Sequence, residues 1–442
     1  MNNWIDKAIF YHIYPLGFCG APSKNNFQSK PIERLYKVTD WIGHMKKLSI
    51  NALYLGPVFE SVEHGYDTVD YFQVDRRLGT NETLKSVIRE LHENGIKIVL
   101  DGVFNHVGRE FFAFKDLQQY REKSMFANWF AGLDFSGNNP FNDGFDYETW
   151  DGHYNLVKLN LKYFYVREYL LNAVKMWIEE LDIDGLRLDA ADVLDFDFMR
   201  ELSTFTKSMK PDFWLMGEVV HGDYNRWANP EMLDSVTNYE CYKGLYSSCN
   251  DRNMFEIAYA LKRQSGVSGI YENLKLYNFL DNHDVNRIAT SLANSAHQFP
   301  LQILLFSMPG IPSIYYGSEW GIEGKKGGYN DLHVRPNTDL EFLHRENGGS
   351  LVDIISRLAG IRKESEALNF GDYQEICVES EFLAFSRQYN GKKIIVMINI
   401  SEQGRQFHLN HSGNFVDVLN INERVRNDFL VPANWGRILE VV

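Results

Sequence analysis

The chain has 442 residues, with 59 acidic against 45 basic side chains and a formal net charge of −14, giving a sequence pI near 5.4. This balance excludes nucleic acid and anionic membranes as principal partners, because both demand basic patches, and it suits a neutral substrate. Hydrophobic residues at 44% and aromatics at 14% give a chain able to build a large core, and no run approaches the 18 apolar residues of a membrane span. Cys19, Cys241, Cys249 and Cys377 are scattered without CxxC or framework spacing, which reads as free thiols in a reducing compartment. The opening MNNWIDKAIFYHIYP lacks the pattern of a secretory leader, so a cytoplasmic protein is expected.

Short apolar runs recur in order: AIFYHIYP (8–15), INALYLGP (50–57), IKIVLDGVFNH (96–106), IDGLRLDAAD (183–192), FWLMGEVV (213–220), SVTNY (235–239), LYNFLDNHD (276–284) and IPSIYYG (311–317). Amphipathic stretches lie between them. In NETLKSVIRELHENG (81–95), Leu84, Val87, Ile88 and Leu91 mark one helix face and Gly95 the stop; similar helices are read at 163–181 and 351–364. Eight strands alternating with helices predict an α/β fold, a (β/α)8 TIM barrel. The rhythm breaks at 107–160, an aromatic and Gly/Asn-rich insertion after strand 3. After about 370 the strands continue without helices, as a C-terminal antiparallel β-sandwich domain. The expected division is barrel 1–106, insertion 107–160, barrel 161–368 and sandwich 369–442.

Catalytic groups of such barrels sit at the C-terminal ends of the strands. Those positions hold Asp101, Asn105 and His106 after strand 3, Arg187 and Asp189 after strand 4, Glu218 after strand 5, and His283 and Asp284 after strand 7. Tyr66 and Asp67 follow strand 2. Singly, each has a structural explanation, such as a cap, a core histidine or an ion pair. Four strands delivering carboxylates and histidines to one rim point instead to a reaction centre. HxH and HExxH spacings, a GxSxG elbow and a GxxxxGK[ST] loop are all missing. Glycoside hydrolysis remains, with one carboxylate as nucleophile and one carboxyl as acid, ~5–5.5 Å apart in a retaining enzyme. Asp189 beside Arg187 should stay ionised. Glu218, with no basic neighbour in LMGEVV, should have a raised pKa and serve as acid/base. Asp284, His106 and His283 would bind sugar hydroxyls, with Tyr66 stacked beneath.

DGVFNH (101–106), GLRLDAADV (185–193), MGEVV (216–220) and FLDNHD (279–284) resemble, in order, the four signature regions of the α-amylase superfamily, glycoside hydrolase family 13. HGYDTVDY (64–71) and GIPSIYYGSEWGIEG (310–324) resemble two further regions. FNHVGREFFAFKDL (104–117), YETWDGHYNLVKLN (147–160) and DLHVRP (331–336) look like the neopullulanase/cyclomaltodextrinase branch. The resemblance implies Asp189 as nucleophile, Glu218 as acid/base and Asp284 as transition-state stabiliser, with an α-retaining outcome on α-glucan oligosaccharides. The substrate-binding set it suggests is His64, Tyr66, Asp67, Asp101, His106, Trp150, Arg187, His283 and Arg335. Transglycosylation on the same intermediate and a catalytically silent sugar-binding relative are the alternatives.

The chemistry needs no cofactor. Asp192 and Val193 stand where the family often has lysine and histidine, which puts a structural calcium ion in doubt; Asn105 is a ligand only if such a site exists. A first strand near residue 8 leads to the expectation of a monomer with an open cleft. Trp129, Tyr147 and Trp150 are either a sugar platform or packing for the insertion, and Met308 is read as core.

Overall fold

Residues 4–327, 331–409 and 414–441 are described by a computed structural model. Eight short parallel strands form its centre: β1 (Phe10–Ile13), β2 (Ala52–Leu55), β3 (Lys97–Gly102), β4 (Gly185–Leu188), β5 (Trp214–Gly217), β6 (Ser235–Val236), β7 (Tyr277–Phe279) and β8 (Ile311–Tyr315). Their order is β6-β5-β4-β3-β2-β1-β8-β7. A parallel bridge from Thr237 to Tyr277 joins β6 to β7, and the Asn238 amide donates to the Tyr277 carbonyl at 2.9 Å. The sheet closes into the expected barrel, with SVTNY contributing its shortest strand.

The two faces of each strand explain the near-continuous apolar runs. Phe10, Tyr54, Val99, Trp214, Met216 and Tyr277 fill the barrel interior, while Tyr11, Leu53, Ile98 and Leu215 meet the surrounding helices. Side chains alternate along a strand, so Asp101 shares the inward face of Val99, and Arg187 shares that of Gly185. In register, Asp101 lies beside Arg187, and Arg187 beside Met216. The charged side chains of DGVFNH and GLRLDAADV thus project into the upper end of an otherwise apolar barrel.

The helix Asn81–Glu93 buries Leu84, Val87, Ile88 and Leu91, and Thr80 and Thr83 cap its start reciprocally; Gly95 follows at φ 74°, the left-handed stop glycine favours. A hairpin of Phe59–Ser61 and Thr68–Val74 after β2, not foreseen from the sequence, carries the HGYD turn. After β3, His106–Gly108, Thr149–Trp150 and His153–Lys158 pair into a small antiparallel sheet.

At the lower end of β4, buried Asp184 accepts from His92 (2.7 Å), Lys97 (2.8 Å), Lys210 (2.8 Å) and the Ile98 amide (3.0 Å). The two aspartates of DGLRLD therefore face opposite ends of the barrel, one tying strands together and the other facing the cleft.

The C-terminal strands form a six-stranded antiparallel sheet and a separate pair, Arg405–His408 with Asp428–Val431. Phe429 and Val431 of the pair pack on Phe382, Met397 and Leu439 of the larger sheet, which makes the two layers of the expected sandwich. Arg387 fastens it to the barrel by donating to the carbonyl of Ser307 (2.8 Å). Met308 is fully buried. Among the described residues no helix is long and apolar enough to cross a membrane.

Candidate active site

One guanidinium organises the upper end of the barrel. Arg187 Nη1 donates to Asp101 Oδ1 and to Asp189 Oδ1, both at 2.9 Å, and Nη2 lies 2.8 Å from Glu218 Oε2. Asp101 is further satisfied by the hydroxyls of Tyr54 (2.8 Å) and Tyr66 (3.0 Å), so it anchors Arg187 from below. The peptide after Asp189 turns sharply: Ala190 has φ 46°, and its amide donates to Glu218 Oε2 at 3.2 Å. A non-glycine residue in this region is strained. Here the turn brings the ends of β4 and β5 onto one carboxylate.

Asp284 stands on the other side, held by Arg335 Nη2 (2.8 Å) and His283 Nε2 (2.8 Å). Arg335 Nε also donates to the His283 carbonyl at 3.0 Å. The Tyr66 hydroxyl contacts His283 Nε2 as well, and the two rings stack at 5.5 Å.

A cleft of about 690 Å³ opens above these groups, and Asp189, Glu218 and Asp284 all line it. Of the other sequence candidates, His64, Tyr66, His106, Trp150 and Arg335 form its walls. Asp67, Asp101, Arg187 and His283 do not line it; each is buried beneath the residues that do. Asp67 Oδ2 accepts from the Glu63 amide at 2.8 Å, closing the turn that presents Tyr66.

The electrostatics differ from the sequence expectation. Glu218 does have a basic neighbour, Arg187. Burial pushes the Asp189 carboxyl well above its ordinary value despite Arg187, and the charges of Glu218, Asp101 and Asp284 add to the rise. Burial would also raise Asp284, but His283, Arg335 and Arg187 outweigh it and hold that carboxyl well below the usual range. Four carboxylates, Asp101, Asp189, Glu218 and Asp284, thus face two guanidiniums, Arg187 and Arg335. Burial pushes His106 down to about 3, leaving a neutral imidazole. Its buried Nε2 has no hydrogen-bond partner and lies 3.9 Å from Asp189 Oδ2.

The insertion contributes one aromatic to the cleft, not three. Trp129 packs among Phe111, Phe126 and Tyr169. Tyr147 packs on Phe114 and accepts from Arg109 at 2.5 Å. Trp150 alone faces the cleft, between His106 (5.7 Å) and a stacked His153 (5.6 Å). His153, Val220 and Tyr239 also line the cleft and were missed in the sequence. Tyr239 and Val220 end the β6 and β5 runs, so the strand-end rule could have found them. His153 lies across a hairpin turn that carries no such signal.

Asn105 is the residue that the sequence offers to a calcium ion. Its amide turns to His106 Nδ1 (3.2 Å), and its cavity is shared with Lys158, which pairs with Glu148 at 3.0 Å. Calcium takes six to eight oxygen ligands, and among the described residues no group of three or more His, Cys, Asp or Glu side chains is placed to hold a metal.

The family described as "Alpha amylase, catalytic domain" matches residues 13–348. A cyclomaltodextrinase of Thermoanaerobacter pseudethanolicus is 30% identical over 97% of this chain and 76% of the relative. Neopullulanase 2 of Thermoactinomyces vulgaris is 33% identical over 90% and 70%. Among solved structures, the ligand-free cyclic α-maltosyl-(1→6)-maltose hydrolase of Arthrobacter globiformis superposes with a TM-score of 0.85, at 26% identity and with 100% of both chains covered.

Proposed function

The chain belongs to the α-amylase family and is an amylase-type glycosidase; from this premise we propose that it hydrolyses α-1,4-glucosidic bonds of maltodextrins and cyclodextrins through a glycosyl-Asp189 intermediate. The reading is carried by one observation: Arg187 touches Asp101, Asp189 and Glu218 at the end of a cleft that Asp284 borders from the other side.

In the first step Asp189 attacks the anomeric carbon, and Glu218 gives its proton to the departing glycosidic oxygen. In the second step Glu218 takes a proton from water, the water oxygen bonds to the anomeric carbon, and the ester to Asp189 breaks. Two inversions give net retention. Asp284, ionised under His283 and Arg335, accepts from sugar hydroxyls as positive charge develops on the ring. His106 Nε2, neutral and unpartnered, is available to a hydroxyl of the same sugar. Trp150 offers an aromatic wall. The buried free thiols of Cys19, Cys241 and Cys249 support a reducing compartment, and the enzyme works in the cytoplasm.

Chromatography of products from β-cyclodextrin, maltoheptaose, pullulan and starch, with Glu218→Gln as control, tests the assignment. Faster cleavage of cyclodextrin and maltoheptaose than of starch, lost in the variant, is expected. Products longer than the starting sugar would move the activity to transglycosylation, and no turnover of any glucan would overturn it.

A further inference from the structure

The cleft divides next to its acid. Val220, two residues beyond Glu218, lines the main cleft and two further cavities. One, of about 330 Å³, runs past Asn105 and Asp192 and shares Trp150 and Glu218 with the cleft. The other, of about 540 Å³, runs over the helices Tyr239–Asn250 and Phe255–Ser265 and shares Tyr239 with it.

The second cavity has the chemistry of a neutral polyhydroxylated ligand. Glu256, Tyr259, Ala260 and Arg263 recur at helical spacing and turn one face toward it. Tyr259 presents its ring at 67% exposure, and the Tyr242 ring lines the same trough. Its charges are paired: Arg263 with Glu240 through two nitrogens, and Lys243 with Glu256 at 3.8 Å. Paired charges give no net attraction to an anion, while their hydrogen-bonding groups beside aromatic faces suit sugar hydroxyls and ring faces.

We infer that this trough is a second leaving-side arm of the cleft, holding one chain of a branched α-glucan while the cavity beside Asn105 holds the other. The inference rests on the reaction proposed for Asp189 and Glu218. The acid must touch the glycosidic oxygen, so the departing sugars lie on its side, where Val220 borders both arms. A linear chain leaves the scissile bond by one route. Two arms meeting at this point serve a departing sugar that carries two chains.

Kinetics of wild type, Tyr259→Ala and Lys243→Trp on maltoheptaose, and on maltoheptaose bearing an α-1,6-linked maltosyl branch, test the arm. Tyr259→Ala removes the exposed ring and Lys243→Trp obstructs the trough from its open side. Each should raise KM for the branched sugar about tenfold, as loss of an aromatic contact does, with kcat unchanged and maltoheptaose kinetics within twofold. The maltoheptaose rate doubles as the check on folding. An equal rise on both sugars would make the trough a route for linear chains and overturn the inference, as would unchanged KM for the branched sugar in both variants. Wild type that cleaves neither sugar would overturn the proposed reaction, and the arm with it; intact maltoheptaose turnover with an indifferent trough overturns the arm alone.

Discussion

Arg187 Nη2 sits 2.8 Å from Glu218 Oε2, while Nη1 of the same side chain sits 2.9 Å from Asp189 Oδ1. The planar fork therefore fixes the spacing of the two carboxylates as well as their charge. Asp101 and two tyrosine hydroxyls in turn fix the fork. Arg187, though buried away from the cleft, is in this account the positioning residue on which both reacting groups depend.

Arg187→Lys tests that dependence. A lysine keeps the charge but is a point donor without the fork, so it cannot span Asp101, Asp189 and Glu218. The expected result is a fall in kcat of at least about 100-fold, the scale of losing a preorganised electrostatic contact. KM for maltoheptaose should change far less, because Arg187 does not line the cleft. Steady-state kinetics separates the two.

The acid limb of the pH–rate profile should report the raised Asp189. As nucleophile it must be ionised, so kcat/KM falls as pH drops through its pKa, and burial with its carboxylate neighbours moves that fall above the ordinary ~3.9. Asp284→Asn removes one negative neighbour and should shift the limb of the residual activity to lower pH. A shift upward would contradict the electrostatic account.

Two tryptophans of one insertion should fail differently. Trp150→Ala, at the cleft, is expected to raise KM severalfold and leave stability nearly unchanged. Trp129→Ala removes a buried ring and should cost about 3 kcal/mol, with KM unaltered. Urea denaturation and kinetics on the same two proteins decide it.

Asp184 carries a separate prediction about stability. Burial would raise its pKa, but hydrogen bonds from His92, Lys210 and Lys97 hold it well below the usual range. A depressed folded pKa stabilises the fold above the unfolded value of ~3.9, and the contribution is lost as pH falls toward the folded value. Asp184→Asn should therefore cost about 2 kcal/mol at pH 7, less than a fully buried pair because Lys97 and His92 are partly in solvent. The deficit should shrink as pH is lowered from 4 to 2, as read by denaturant midpoints against wild type.

The barrel was legible because its strands are buried on both faces and leave apolar runs of the right length, four of them carrying charged residues that stand out at their ends. The same rule exposed Asp189, Glu218 and Asp284. It failed where function depends on distance through space. Glu218 reads as isolated in LMGEVV, yet Arg187 reaches it from the adjacent strand. Asp67 and His283 stand beside cleft residues in sequence but turn behind the wall. Trp129 and Trp150 look alike as letters, and only the pairing of Thr149–Trp150 with the strand His153–Lys158 sets one at the cleft. The fork at Val220 depends on where two helices pack, which no local pattern encodes.

The central claim is that Asp189 becomes glycosylated and that Glu218 governs both the entry to and the exit from that state. Mass spectrometry of Glu218→Gln incubated with α-maltosyl fluoride tests it most directly, because fluoride departs without an acid while water attack still lacks its base. The account predicts an adduct of one maltosyl unit, mapped by proteolysis to Asp189 and absent from Asp189→Asn. An adduct on another residue, or steady release of sugar without any adduct, would contradict it.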